Sequence, residues 1–152
     1  MLSTYCKILP DVLYPSPVVP SLLRFSTMAL DCTNADAIER NIWWVRDFLQ
    51  SVLDENCRPN SPYFAVVKEH ALAMSNEFCG IAVQASLGAG RSGLPWSGAM
   101  RRNLSSVLLY LCAVISFEVW QTHLINALGL LDETKASAAV KTQFMELCQR
   151  FV

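Results

Sequence analysis

Charged residues are scarce in this chain. Lysine, arginine, aspartate and glutamate together make up 16% of its 152 residues, where soluble domains usually carry about a quarter. Basic and acidic residues number 12 and 13, and Arg101-Arg102 is the only adjacent basic pair. The chain therefore lacks the basic field that attracts nucleic acid. With apolar residues at 53%, the low charge predicts an exposed apolar groove or an oligomer interface.

Residues for metal binding and covalent chemistry are also few. His70 and His123 are the only histidines, and no Ser–His–Asp arrangement can be argued. No CxxC pair occurs among the six cysteines, which lie at 6, 32, 57, 79, 112 and 148. We therefore predict free thiols in a reducing compartment, no metal, no cofactor and no catalytic residue, so that the protein is not an enzyme.

No apolar run approaches the about 20 residues that a membrane-spanning helix needs. The most apolar segment is Leu104–Leu131, whose first half, Leu104–Phe117, carries no charge, whereas Glu118 and several polar residues follow. Because a helix that is apolar on every side must be buried on every side, we predict that this segment is the central helix of a soluble bundle. We expect no transmembrane anchor, and the proline-containing start is unlike a signal peptide.

The uneven distribution of proline distinguishes residues 1–31 from the rest of the chain. Four of them lie within residues 1–31, at 10, 15, 17 and 20. Because proline lacks a backbone donor and interrupts helices, we predict an extended arm over 1–31. Its apolar residues indicate that it packs on the remaining domain, residues 32–152.

Apolar periodicity predicts that this domain is all-α. The predicted helices are 35–55, 62–87, 96–102, 104–131 and 133–150, and no segment is a convincing strand. Thr33 or Asn34 can cap the first helix, and Asp132 can cap the last. The second helix has the strictest stripe, and Gly88 is expected to end it. That stripe consists of Phe64, Val67, Ala71, Met74, Phe78, Ile81 and Ala85.

The loop Gly88–Gly93 matches the nucleotide-binding pattern GxGxxG. Such a site needs a strand before the loop and a helix after it, and residues 81–87 could pass as a strand. They continue the stripe of the second helix, however, and no β-α unit follows. We therefore favour a flexible connection between helices over a nucleotide site.

Four stretches resemble the Bcl-2 family of apoptosis regulators. Val45–Leu53, VRDFLQSVL, is similar to the V-x-D-F-L-S-x-x-L pattern of that family's first helix. Val67–Phe78 resembles its third homology segment, which ends in a small residue, Asp, Glu and Phe. Arg91–Ser97, RSGLPWS, resembles the first homology motif R-D-G-V-N-W-G, and Phe144–Leu147 resembles the F-V-E-L of the second.

None of these motifs is intact, and three departures lie at the end of the first homology motif. Pro95, Ser97 and Gly98 stand where the family has Asn, Gly and Arg. That Arg pairs with an acidic residue of the bound helix, and Arg101 or Arg102, one turn on, could replace it. Aligning Trp120 instead of Trp96 with the motif tryptophan restores the family's spacing but leaves too little chain for the helices that follow.

The resemblance implies a Bcl-2-like bundle around one buried central helix. It also implies an anti-apoptotic protein, most like viral members, that sequesters the amphipathic helix of a pro-apoptotic protein in a hydrophobic groove. Such a protein would be cytoplasmic, in the host cell if viral, and could lie peripherally at mitochondria. The groove residues that we predict are Met74, Phe78, Ile81, Leu87, Trp96, Met100, Arg101, Arg102, Leu104 and Leu108.

Two alternatives to this function stay open. The same resemblance is compatible with a pro-death protein, because a fold does not determine the sign of a regulator. The apolar composition is equally compatible with a self-associating all-α structural protein, whose exposed apolar surface would form a homodimer rather than bind a peptide.

Overall fold

The described chain is entirely helical apart from its connections. The computed structural model describes residues 8–88, 90–134 and 136–150, and only the backbone of residues 144, 145 and 147–150. Within these ranges no strand occurs, and Leu53 and Pro59 form one isolated antiparallel bridge. The helices are α1 Pro10–Leu13, α2 Val18–Ala29, α3 Ala35–Gln50, α4 Phe64–Ser86, α5 Gly98–Ile115, α6 Phe117–Gly129 and α7 Ala138–Arg150.

Residues 10–13 and 18–29 are helical, so the prediction of an extended arm is wrong for α1 and α2. Pro10 is the first residue of α1, Pro17 immediately precedes α2, and Pro20 lies in its first turn. At these positions a helix needs no backbone donor, so proline does not interrupt it. The buried apolar side chains of this region belong to the same core as the rest of the domain, and they are Tyr14, Val19, Leu23 and Leu30.

Helix α3 begins where the sequence predicts and ends earlier. Asn34 is the cap, because its side-chain oxygen accepts a hydrogen bond from the Ala37 N–H at 3.1 Å. The helix ends at Gln50 rather than 55, since the Asp54 carboxylate accepts hydrogen bonds from two backbone N–H groups in the turn that follows. Of the adjacent tryptophans, Trp44 is buried and Trp43 is 45% exposed.

Helix α4 has two neighbouring buried rows. The predicted stripe is buried at Val67, Ala71, Met74, Phe78 and Ala85, and partly buried at its other two members. The second row comprises Ser75, Cys79, Ala82 and Val83. With a wide buried surface, α4 packs against α2, α5 and α6. Gly88 ends the helix as predicted, in a left-handed conformation with φ of 70°.

The segment 104–131 is not one helix buried on every side. Ser116, with φ of 94° and ψ of 152°, separates α5 from α6. The core side of α5 contains Leu104, Val107 and Leu111, whereas Leu109 is 48% exposed. The prediction of burial on every side rested on the absence of charge, and it is wrong because serines and a tyrosine give this helix a polar side. The core is therefore shared between α4 and α5, each of which packs against three helices.

Two further helix boundaries differ from the prediction. The expected short helix at 96–102 is the start of α5, which Ser97 caps by accepting a hydrogen bond from the Met100 N–H at 3.1 Å. Asp132 does not begin the last helix, because its carboxylate bonds to Thr134 in a turn. Instead α7 follows Ser137. Of its predicted stripe, Ala136 is buried and Val140 is 53% exposed, while the Phe144, Leu147 and Phe151 side chains lie outside the described part.

Among the described cysteines, Cys32, Cys57 and Cys79 are free thiols. Burial raises the pKa of the Cys79 thiol to about 12, so this thiol stays protonated. The Cys6 residue and the Cys148 side chain lie outside the described part. None of the helices in the described ranges combines the length and the apolar character needed to cross a membrane.

The conformation of Ser116 gives a stability prediction. Its dihedral angles lie in a region that is essentially restricted to glycine, and a side chain there costs about 1–3 kcal/mol. We expect Ser116→Gly to raise the free energy of unfolding by about 1 kcal/mol in urea denaturation. The control, Ser105→Gly in the exposed face of α5, should lower it. A destabilised Ser116→Gly variant would contradict strain at this junction.

Candidate functional site

An apolar groove lies where four helices meet. It is a cavity of about 220 Å³ between the end of α4, the start of α5, the end of α6 and the start of α7. Its walls are mainly aliphatic. The lining residues are Val83, Ser86, Leu87, Arg101, Leu104, Ser105, Leu108, Leu128, Ala136, Val140 and Lys141.

The structure brings together only part of the predicted groove. Leu87, Arg101, Leu104 and Leu108 line the apolar groove. Four others are at most 6% exposed, lie in the closed core and do not line it, namely Met74, Phe78, Trp96 and Met100. Ile81 lines a separate cavity on the other side of α4. Arg102 is exposed, and its guanidinium lies near Gly98 in the first turn of its own helix.

Charge in the apolar groove is of one sign. Arg101 and Lys141 are the charged residues in its described lining, and no carboxylate belongs to that lining. The Arg101 side chain is exposed, whereas the Lys141 Nζ donates a hydrogen bond to the Leu131 carbonyl at 2.6 Å. The groove thus offers aliphatic walls next to two cations, a combination suited to a ligand with an apolar face and acidic groups.

Several lining residues were not predicted from the sequence. They are Val83, Leu128, Ala136, Val140 and Lys141, together with two serines. Val83 belongs to the second buried row of α4, which the 3-4 stripe of that helix conceals. Ala136, Val140 and Lys141 depend on the path of the chain after Gly129, where α6 ends and the chain continues toward α7. A second periodicity search on α4 could have found Val83, but no local signal indicates Lys141.

The glycine loop binds a carboxylate from its own chain. Asp31, at the end of α2, accepts hydrogen bonds from the Arg91 N–H at 2.8 Å and the Ser92 N–H at 3.1 Å. A Cβ at Gly90 would clash with the Asp31 Oδ1 and lie 3.1 Å from the Ala85 Cα, so the close approach favours glycine. The predicted connection between helices is confirmed, but it is anchored rather than loose. The segment before it is helical, which excludes the strand that a dinucleotide site needs.

A second cavity adjoins this anchored loop. Its volume is about 270 Å³, and its lining mixes carboxylates, a guanidinium, an amide and two apolar side chains. The lining residues are Met28, Asp31, Glu77, Ile81, Gln84 and Arg91. Of these polar groups, the Asp31 carboxylate already receives two hydrogen bonds from the glycine loop.

Both histidines contact groups within the fold. The His70 Nε2 lies 3.2 Å from the Tyr14 carbonyl, and the His123 Nδ1 lies 2.9 Å from the Ser75 Oγ. Ser75 is fully buried, so its hydroxyl is inaccessible to a substrate. Among the described side chains, no group of three or more His, Cys, Asp or Glu is arranged to hold a metal ion.

Neither protein-family models, nor curated proteins, nor solved structures show a significant similarity to this chain.

The contact between Asp31 and the glycine loop predicts energetic coupling. We expect Asp31→Ala to lower the free energy of unfolding by about 1–2 kcal/mol, since it removes two charge-assisted hydrogen bonds. Gly90→Ala should also destabilise, because its Cβ would clash with the Asp31 carboxylate. In urea denaturation, the double variant should lose less free energy of unfolding than the two single variants lose together, and the difference should exceed about 0.5 kcal/mol. Gly129→Ala, which meets no atom within 4 Å, is the control. Strict additivity would contradict the coupling.

Burial of His123 predicts a dependence of stability on pH. Desolvation lowers the pKa of His123 below its ordinary 6.5, so the unfolded chain binds a proton more readily than the folded one. The stability that neutral His123 contributes to the folded state is fully present above pH 6.5 and is lost as the pH falls through and below that value. We expect wild type to lose stability between about pH 7 and pH 5, and His123→Gln to lose less. His70→Gln, which keeps His123, should retain the wild-type dependence. An equal loss in all three proteins would contradict the role of His123.

Proposed function

We propose that this protein binds an amphipathic helix of a pro-apoptotic protein in the apolar groove and so inhibits apoptosis. The observation that carries the proposal is the groove itself, an aliphatic cavity with two cations and no carboxylate in its described lining. The sequence resemblance to the Bcl-2 family supplies the class of partner. In this proposal the helices form a Bcl-2-like bundle, the protein is a viral-type regulator in the host cytoplasm, and it performs no catalysis.

The size of the groove supports a peptide rather than a small ligand. Pockets that enclose a drug-sized molecule usually measure about 300–1,000 Å³, whereas this cavity is about 220 Å³. It has room for a few side chains projecting from a partner, while the partner's backbone stays outside. Helix-in-groove recognition uses apolar side chains in this way, at positions i, i+3, i+4 and i+7.

The position of Arg101 supports it as the anchor that replaces the family's groove arginine. Arg101 lines the apolar groove, whereas the Arg102 guanidinium lies near Gly98. Arg101 is exposed and forms no ion pair with the described residues, so it is free to meet a carboxylate of the partner. An exposed ion pair contributes little, and the aliphatic contacts are expected to supply most of the affinity.

The proposal predicts how groove variants bind. Death-motif peptides from pro-apoptotic proteins, titrated by fluorescence polarisation, should bind the wild type at submicromolar concentration. Leu87→Glu should abolish binding, because a carboxylate would replace an apolar wall. Leu109→Glu is the matched control, since Leu109 is 48% exposed, Leu87 is 49% exposed, and Leu109 does not line the groove. Arg101→Ala should weaken binding up to about fivefold, and Arg102→Ala should leave it unchanged.

The contrary results are equally clear. Normal binding by Leu87→Glu would place the peptide elsewhere on the protein. Absence of binding to every peptide by a folded, helical wild type would overturn the proposed function.

One observation favours self-association as the second candidate function. Helix α2 exposes an apolar stripe opposite its buried side, with Val18 at 55%, Phe25 at 67% and Met28 at 59%. A concentration series by sedimentation velocity accompanies the peptide titration. A concentration-dependent dimer that binds no peptide would favour the structural protein, whereas a monomer that binds peptide would remove this candidate.

A further inference from the structure

We infer that Lys141 is a second cationic anchor of the apolar groove, so that the groove selects helices with carboxylates on both sides of their apolar face. The inference rests on the proposed function and adds the partner's charge pattern to it. The resemblance implies one arginine anchor, on α5. Lys141 lies on α7, so it contributes to the lining of the groove from a different helix than Arg101.

The Lys141 side chain is held in position. Its Nζ donates a hydrogen bond of 2.6 Å to the Leu131 carbonyl, just after the end of α6. Carbonyl groups at a helix C-terminus carry partial negative charge, which stabilises a cation. A lysine ammonium has three donors, so two remain for a partner after this bond. Because the side chain is already ordered by the protein, binding a carboxylate costs less conformational entropy than it would for a free lysine.

Charge complementarity indicates the kind of occupant. Arg101 on α5 and Lys141 on α7 contribute to one cavity whose other walls are mainly aliphatic. The acidic residues that precede α7 do not neutralise it, because Asp132 turns toward Thr134 and Glu133 is exposed outside the lining. Two cations beside a desolvated apolar surface favour an acidic helix over a neutral or basic one.

The test uses two synthetic helical peptides with the same apolar stripe. One carries Glu at the positions that flank the stripe, and the other carries Gln there. In fluorescence polarisation at low salt, we expect wild type to bind the Glu peptide at least about tenfold more tightly. Added salt should reduce this preference, because it screens charges at the groove rim.

Variants of Lys141 identify its share of that preference. Lys141→Met keeps an unbranched apolar chain and removes the charge, so it should lose about half of the preference, measured as the logarithm of the affinity ratio. Lys141→Arg should retain it. Lys68→Met, on α4 and outside the groove, is the matched control and should bind both peptides as wild type does. Circular dichroism verifies that each variant is folded.

The possible failures are distinguishable. If neither peptide binds wild type, the proposed function and this inference both fail. If both peptides bind and Lys141→Met leaves their affinity ratio unchanged, the groove stands and the second anchor is wrong. Should Lys141→Met not fold, an equal salt dependence for the two peptides on wild type would overturn the inference.

Discussion

The burial of α4 on several sides is the constraint on which the rest of this structure depends. One row of its buried side chains occupies the predicted stripe positions, and a second row, which includes Cys79 and Val83, widens the buried surface. Helices α2, α5 and α6 each pack against it. Since small side chains such as Ala82 and Ala85 occur in these rows, neighbouring helices can approach closely, and a bulkier residue there would separate them.

The apolar groove follows from where this packing ends. Leu87, just after the end of α4, is half exposed instead of being covered, whereas Val83 and Ala85 in the last turn of the helix are buried. The start of α5 and the end of α6 lie on either side of the groove, and the first turn of α7 contributes Val140 and Lys141 to its wall. None of the more extensive helix contacts among the described residues includes α7, so this wall depends on local contacts such as that from Lys141.

Periodicity predicted most of the fold because each helix must bury a stripe of its own. The cap at Asn34 and the end at Gly88 depend on local chemistry, and the local sequence is sufficient to predict them. The break at Ser116 and the helical nature of α2 depend on packing that no window of the sequence contains. The same limit applies to the site. Leu87, Leu104 and Leu108, which we predicted from the family resemblance, line the cavity, whereas Phe78 and Trp96 are buried in the core.

The incorporation of α2 into the core has a consequence for synthesis of the protein. Val19 and Leu23 lie on α2, which leaves the ribosome before α4, the helix against which it packs. At about 5–20 residues per second, this apolar surface stays uncovered for on the order of several seconds. During that interval both apolar sides of α2 are exposed on the nascent chain. A chaperone that binds apolar surfaces has time to bind there.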